Sequence, residues 1–506
     1  MPVNSLQPRW LWIMLSVAIA SAAVAARGGV LSADLLADMP DYSQIAMSAV
    51  SADCRNVAMV VGDATGKSAL FLNDKTVAAG RDISLVAISP DGKRLAYVVH
   101  ESEDKWHAVV DGVAGDTYDS LKYALGDSLK YTTADLLAFS PDGKHLAYIA
   151  QKGGKQMIVI DGNAQLQHDR ILRGNPTGSG LMGYVLFSPD SQRYAYVAFD
   201  QGGVDQTLIV DGIKFKTGAF RDVSFSRDSK HIAYDFIDDD LVHHFYVDDK
   251  EIGHCTFGAG PVLSDDGKHA AYAEEGQRAN TSHTVLDGKE GPPIPQKSRE
   301  GAGIALTALF VDKLVFSPDG RRLAFDEEEP IGSGRFSSVN LDGVEGRRSY
   351  ALIGNLIFSP DNRNLACAAM NRAVGGPPEW RIVLNGKDGQ TFDFVLPPVF
   401  SPDSKHLAYA ARKAGKWMVV LDGQTITTYE AIISRVAADD VDRAPAWGDA
   451  QGTLLEKIEP NPFEAFSTPY RFDSDGNLIF LGSSGGKIFR VKWKPDDGLP
   501  PATTRP

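Results

Sequence analysis

Short apolar runs recur along the whole chain, each closed by turn-forming residues, and no helix-rich region interrupts them. One stretch shows the pattern: Leu137-Ala138-Phe139, the quartet Ser140-Pro141-Asp142-Gly143, then Leu146-Ala147-Tyr148-Ile149-Ala150. Pro fixes φ and Gly accepts a positive one, so the two runs read as strands joined by a tight turn. Gly153-Gly154 marks the next turn, Met157 to Ile160 a third strand, and Asp161-Gly162 a further turn. A fourth, more variable segment leads onward, as in Tyr118-Asp119-Ser120-Leu121 and Tyr42-Ser43-Gln44-Ile45. Four strands in about 45 residues is the size of one propeller blade.

The unit repeats. Its turn stands at Ser89-Pro90-Asp91-Gly92, Ser140-Pro141-Asp142-Gly143 and Ser317-Pro318-Asp319-Gly320, and in variant form at Ser188-Pro189-Asp190, Ser359-Pro360-Asp361 and Ser401-Pro402-Asp403. Looser copies start from Ser51, Ser226 and Ser264, and the weakest is Ser474-Asp475-Gly476. A second motif, an apolar stretch ending in Asp-Gly or a close variant, follows nine of these anchors, from Asn73-Asp74 to Asp422-Gly423. Trp106, Trp380 and Trp417 each stand five residues before its acid or amide.

A lone blade has two apolar faces and cannot be stable. Radial stacking buries both, and closing the ring protects the edges. The expected fold is therefore all-β: a β-propeller of four-stranded blades with about ten repeat copies. The absence of a 20–25-residue rung argues against a β-helix. Ten anchors allow one large ring, two smaller rings, or a ring of seven or eight with degenerate flanking copies, and the usual range of four to eight blades favours two. The repeat region runs over 27–497, with a possible division near 289–312, an insertion or decayed blade at 424–469 and a loose tail at 498–506.

The paired motifs Phe-Ser-Pro-Asp-Gly-Lys-x-Leu-Ala-Tyr and Val-Val-Asp-Gly resemble those of bacterial TolB-type and WD40-like (PD40) β-propeller repeat proteins, over about 440 of the 506 residues. The resemblance implies the fold and says little about activity. Such propellers occur as periplasmic adaptors, as exported proteins and as gating domains of serine peptidases. A peptidase domain would need roughly 200 more residues after the last blade, fewer than 35 follow Ser474, and no G-x-S-x-G elbow occurs.

Residues 1–26 have a different character. Arg9 precedes an apolar run from Trp10 to Ala20, and Ala23-Val24-Ala25 fits a signal-peptidase site. The expectation is a cleaved signal peptide and a periplasmic or secreted chain without a later transmembrane span; retention of the segment as an anchor is the alternative. A net charge of −14 argues against nucleic-acid binding. Cys54, Cys255 and Cys367 are too few and too scattered for a disulfide framework.

No catalytic constellation emerges, and the Ser-Pro-Asp sites read as structural turns because every blade needs one. Asp238-Asp239-Asp240 lies near His243-His244, but adjacent strand residues point to opposite faces, so at most one histidine could join the carboxylates. The aspartates read as a turn, and no metal or cofactor is expected. Asp473-Ser474-Asp475-Gly476-Asn477 resembles the start of an EF-hand loop without its closing Glu. The expected function is a non-enzymatic binding or scaffolding module of the cell envelope, whose partner is another envelope protein or cell-wall-associated material. The alternative is a propeller enzyme of the polysaccharide-lyase or glycosidase kind with its site at the channel mouth.

Overall fold

The computed structural model describes residues 24–26, 29–38, 45–62, 67–102, 104–121, 137–171, 185–200, 205–256, 258–275, 281–295, 311–331, 334–372, 376–432, 470–484 and 487–495. Most of the signal segment, the 498–506 tail, and the stretches 172–180, 296–310 and 433–469 of the three irregular connections lie outside the described residues.

Within them every regular element is a strand. Leu137–Phe139, Leu146–Lys152, Lys155–Ile160 and Asn163–His168 form an antiparallel meander in sequence order, and this is the pattern of a blade. Among the described residues the strands form nine sheets, one of which has seven strands and divides within the long strand Lys75–Ile88 into two blades. Among the described residues the strands group, in chain order, into ten four-stranded units within 45–81, 82–118, 137–168, 170–217, 219–255, 258–295, 311–350, 352–392 and 394–429, with the tenth made of 431–432, 470–495 and 29–38.

The fourth strand starts directly after the Asp-Gly turn, as Asn163–His168 does, earlier than the sequence pattern suggests. The segment Tyr118–Leu121 straddles two blades: Tyr118 bridges Trp106 of blade 2, and Ser120 bridges Gln151 of blade 3. Ile45 opens the innermost strand of blade 1, Ile45–Val50.

Blade 10 is composite. Its outer strand is Gly29–Asp38 from the N-terminus, paired antiparallel with Lys487–Pro495 from Gly29↔Pro495 to Asp38↔Lys487. Apolar clusters then seal every seam of a single circle. Ala49, Val60 and Leu70 of blade 1 meet Ile83 and Val99 of blade 2; Ile149 and Ile158 of blade 3 meet Tyr196 and Ile209 of blade 4. Ala271 and Ile294 of blade 6 share a core with Phe316 and Phe325 of blade 7 across the 289–312 connection. The last seam joins Ala37, Ile479, Leu481 and Ile488 of blade 10 to Cys54, Val57 and Met59 of blade 1. The remaining seams are filled in the same way.

The repeat motifs are what make a blade local and a ring continuous. Ser140 is fully buried; its hydroxyl donates to Asp142 Oδ1 at 2.7 Å and accepts from His145 N at 3.0 Å, while Gly143 N donates to Ser140 O. The fourth turn position has a positive φ in every blade: Cys54, Gly92, Gly143, Ser191, Ser229, Gly267, Gly320, Asn362, Ser404 and Gly476. Blade 10 shows why its copy reads weakest. Asp473 takes the place of the anchoring serine, its carboxylate accepting from Asp475 N at 3.0 Å and Asn477 N at 2.8 Å, and the turn is one residue shorter. The anchor is Asp473, one residue before Ser474, and this turn needs no calcium ligand to explain it.

The fourth position also touches the preceding blade. Where it is polar it accepts from that blade's turn aspartate amide: Asp142 N to Ser191 Oγ at 3.0 Å, Asp190 N to Ser229 Oγ at 2.9 Å, Asp319 N to Asn362 Oδ1 at 3.1 Å and Asp361 N to Ser404 Oγ at 3.0 Å. At Gly267 there is no space for a side chain, since a Cβ would stand 2.3 Å from the His231 ring of blade 5. A non-glycine residue in the left-handed region costs about 1–2 kcal/mol, and these bonds offset part of that cost.

Candidate functional site

In a four-stranded meander the first and third connections share one end of the sheet, and the second connection lies at the other. One face of the ring therefore carries both the Ser-Pro-Asp and the Asp-Gly turns. The two motifs meet there through side chains. Arg94, His145, Arg193, His231, His269, Arg322 and His406 reach Asp111, Asp161, Asp211, Asp248, Asp287, Asp342 and Asp422 at 2.7–3.0 Å. In blades 1 and 8 both partners change together, to Asn56 with Asn73 and Asn364 with Asn385. The other carboxylate oxygen caps the second strand, as Asp161 Oδ1 does for Leu146 N at 2.9 Å. This staple is why the two motifs keep register. The serines and aspartates of the Ser-Pro-Asp turns bond to backbone on this face, as Ser140 and Asp142 do.

The chain has 11 histidines. Four belong to staples, and the other seven (His100, His107, His168, His243, His244, His254 and His283) lie toward the opposite, loop-bearing face in blades 2 to 6. Most sit against a carboxylate. His100 Nδ1 lies 2.8 Å from Asp82, and His168 Nδ1 lies 2.9 Å from Asp200 across the blade 3–4 seam.

Blades 5 and 6 concentrate this chemistry. The run Asp238-Asp239-Asp240 forms the turn between Ile232–Ile237 and His243–Val247, and the two histidines that follow point to opposite faces. His243 faces blade 6 with Phe245 and is held by both oxygens of the buried Asp235, at 2.9 and 3.1 Å. His244 faces blade 4. Its Nε2 lies 3.2 Å from Asp238 Oδ2 and its Nδ1 3.1 Å from Glu251 Oε1. The same Glu251 oxygen is 3.0 Å from His254 Nδ1, and Tyr246 donates its hydroxyl to Glu251 Oε2 at 3.3 Å. Tyr246 stacks on Tyr234 at 5.0 Å, with the Lys216 ammonium of blade 4 lying 3.3 Å from the centre of its ring.

The electrostatics follow from these contacts. Partial burial alone would lower the His244 pKa, but the bonds to Glu251 and Asp238 outweigh it and hold the imidazole above its usual value. Burial pushes the Glu251 carboxyl up, and the two histidines more than reverse that. Blade 6 carries a second group facing blade 5: His283 Nε2 is 2.9 Å from Glu274 and 3.9 Å from Glu290. There burial dominates, and Glu274 is raised despite His283.

The sequence pattern allowed one of His243 and His244 to join the carboxylates of 238–240, and His244 does so at Asp238; it did not single out Glu251 or His254. On a regular strand two residues three apart face opposite ways. The strand Lys250–Cys255 carries a bulge: His254 pairs His244, Gly253 pairs Phe245, and Glu251 pairs Tyr246, leaving Ile252 as the extra residue. The bulge inverts the alternation and puts Glu251 on the His254 face.

The outer wall has its own character. Of the eight exposed large apolar residues among the described ones, seven lie on the fourth strands of blades: Val30, Leu35, Val77, Val113, Leu166, Ile213 and Val344, with the short Val24–Ala26 pairing outside the first of these strands. Six of these fall on the consecutive blades 10, 1, 2, 3 and 4. Val113 and Ile213 are each 71% exposed, and each directly follows an Asp-Gly turn.

These strand pairings define a β-propeller. Among solved structures, the β-propeller domain of the Trilobed protease from Pyrococcus furiosus, which has an open velcro topology, is 10% identical, and the match covers 67% of this chain and 99% of that one, with a TM-score of 0.32. TolB from Acinetobacter baumannii is 15% identical, covering 55% of this chain and 77% of that one, with a TM-score of 0.25. A eukaryotic initiation factor is 12% identical, covering 79% and 93%, with a TM-score of 0.40. No protein-family model matches the chain, and no curated protein does.

Proposed function

We propose that this chain is an exported, non-enzymatic β-propeller that acts as a binding or scaffolding module in the cell envelope, with a protein partner. Export rests on the signal-peptide pattern of residues 1–26. The observation that carries the binding role is the row of exposed Val, Leu and Ile side chains on the outer strands of blades 10 and 1 to 4. Scattered exposed apolar residues are ordinary; here they gather on one kind of strand along one arc of the ring. Outermost strands also present unpaired backbone groups along their free edge, which a partner strand can complete. A broad rigid wall of this kind suits a flat or extended protein surface.

The test is in vivo cross-linking and pull-down of residues 27–506 from envelope extract of the source organism, read by mass spectrometry. The expected result is one or two envelope proteins cross-linked to blades 10 and 1 to 4. Their recovery should fall at least about tenfold in the variant Val113→Glu/Ile213→Glu, which buries charge in the contact. Capture unaffected by that variant, or cross-links confined to the turn-bearing face, would refute the outer wall as the binding surface.

A further inference from the structure

We propose that His244, Glu251 and His254 of blade 5 form a binding site for one divalent transition-metal ion, with zinc the best match. Their donor atoms lie within 4.8 Å of one another. Two imidazole nitrogens and one carboxylate oxygen are a donor set that zinc accepts readily, with a fourth position left for water. His254 is two-thirds exposed, so that position opens to solvent.

The surroundings are those of a metal site. His244 turns Nδ1 toward the cluster and Nε2 toward Asp238, the arrangement in which an outer carboxylate fixes the tautomer and orientation of a ligating histidine. Tyr246 holds the second oxygen of Glu251, which leaves Oε1 for the ion. Binding requires both Nδ1 atoms to give up the hydrogen bonds they make to Glu251 Oε1, with any proton on Nδ1 released to solvent or moved to Nε2, so that both histidines bind the ion in the neutral form.

The repeat supplies a control within the same molecule. Blade 9 has the same bulge: Met418 pairs Thr428, Val419 pairs Thr427, and Val420 pairs Thr425. The positions matching His244, Glu251 and His254 are Met418, Thr425 and Thr428, and Thr425 Oγ1 lies 3.5 Å from Met418 Sδ. The bulge thus brings the first two of these side chains together in blade 9 as well, and blade 5 fills the matching positions with ligands. The Glu274, His283 and Glu290 group is also within reach of one ion, but it offers a single histidine, whose Nε2 already binds the half-buried Glu274.

The experiment is calorimetric titration of the untagged, chelator-stripped chain with zinc chloride, with cobalt(II) absorption as a second readout. One equivalent is expected, together with visible cobalt bands of low-coordinate geometry. His254→Ala, at an exposed position that leaves the core intact, and Glu251→Gln should each weaken zinc binding by more than about tenfold. Glu290→Gln should leave it unchanged. Absence of saturable binding overturns the proposal, as does binding that survives both blade 5 variants or is abolished by Glu290→Gln.

Discussion

Ser404 shows how much one side chain in this ring has to do. It occupies a turn position with φ +63° and accepts a bond from Asp361 N of the preceding blade. Ser404→Ala keeps the strained backbone and removes the acceptor, so it should cost about 1–2 kcal/mol. Ser404→Gly removes the acceptor but relieves the strain and should cost less; urea denaturation of both variants gives the comparison. The turn carboxylates add a pH dependence. Hydrogen bonds from Ser89, Ser188, Ser226, Ser317 and Ser359 are the largest influence on Asp91, Asp190, Asp228, Asp319 and Asp361, and all five are held below the usual carboxylate value, Asp91 at about 2. A depressed value means that the unfolded chain, with a pKa of about 3.9, binds the proton more readily. The stabilisation is therefore complete above roughly pH 5 and is lost as pH falls from about 4 toward 2. Tryptophan fluorescence along an acid titration should show a flat plateau and then unfolding in that window. Asp319→Asn should make the fall shallower.

At the scale of elements, the strands with local signatures were legible. Turn residues bracket them, and the staple from His145 to Asp161 explains why two motifs 16 residues apart keep time. What the pattern concealed is each feature that depends on pairing. Gly29–Asp38 carries no copy of the motif, yet it completes blade 10 against a strand about 460 residues away. Asp473 replaces a serine by chemistry, not by spelling. Glu251 and His254 share a face only because Ile252 bulges out of register, and no count of alternating residues reveals that. The closing strand yields a direct prediction. Cleavage after residue 26 removes the short strand Val24–Ala26 and leaves Gly29–Asp38 in place, so the shortened chain should stay folded and monodisperse. A chain starting at residue 39 leaves Lys487–Pro495 with a bare edge. It should aggregate or melt at least about 10 °C lower, as seen by size-exclusion chromatography and thermal melting.

For the molecule as a whole, the ten seams form one circuit, so blade 10 rests on blade 1 as directly as blade 2 does. The two faces differ: one is a belt of stapled turns, while the other holds the histidine–carboxylate groups of blades 2 to 6. The sequence pattern favoured two rings because known rings are smaller, and only the pairing across the termini makes the circuit single. That pairing also sets an order of events. Gly29–Asp38 is made early but its long-range partner Lys487–Pro495 only at the end, and holding such distant ends together costs about 5 kcal/mol of chain entropy. Nine blades can assemble in passing; the tenth cannot exist until the chain is complete. A product cut short before Lys487 would leave Gly29–Asp38 without this long-range partner, and such bare strand edges favour aggregation.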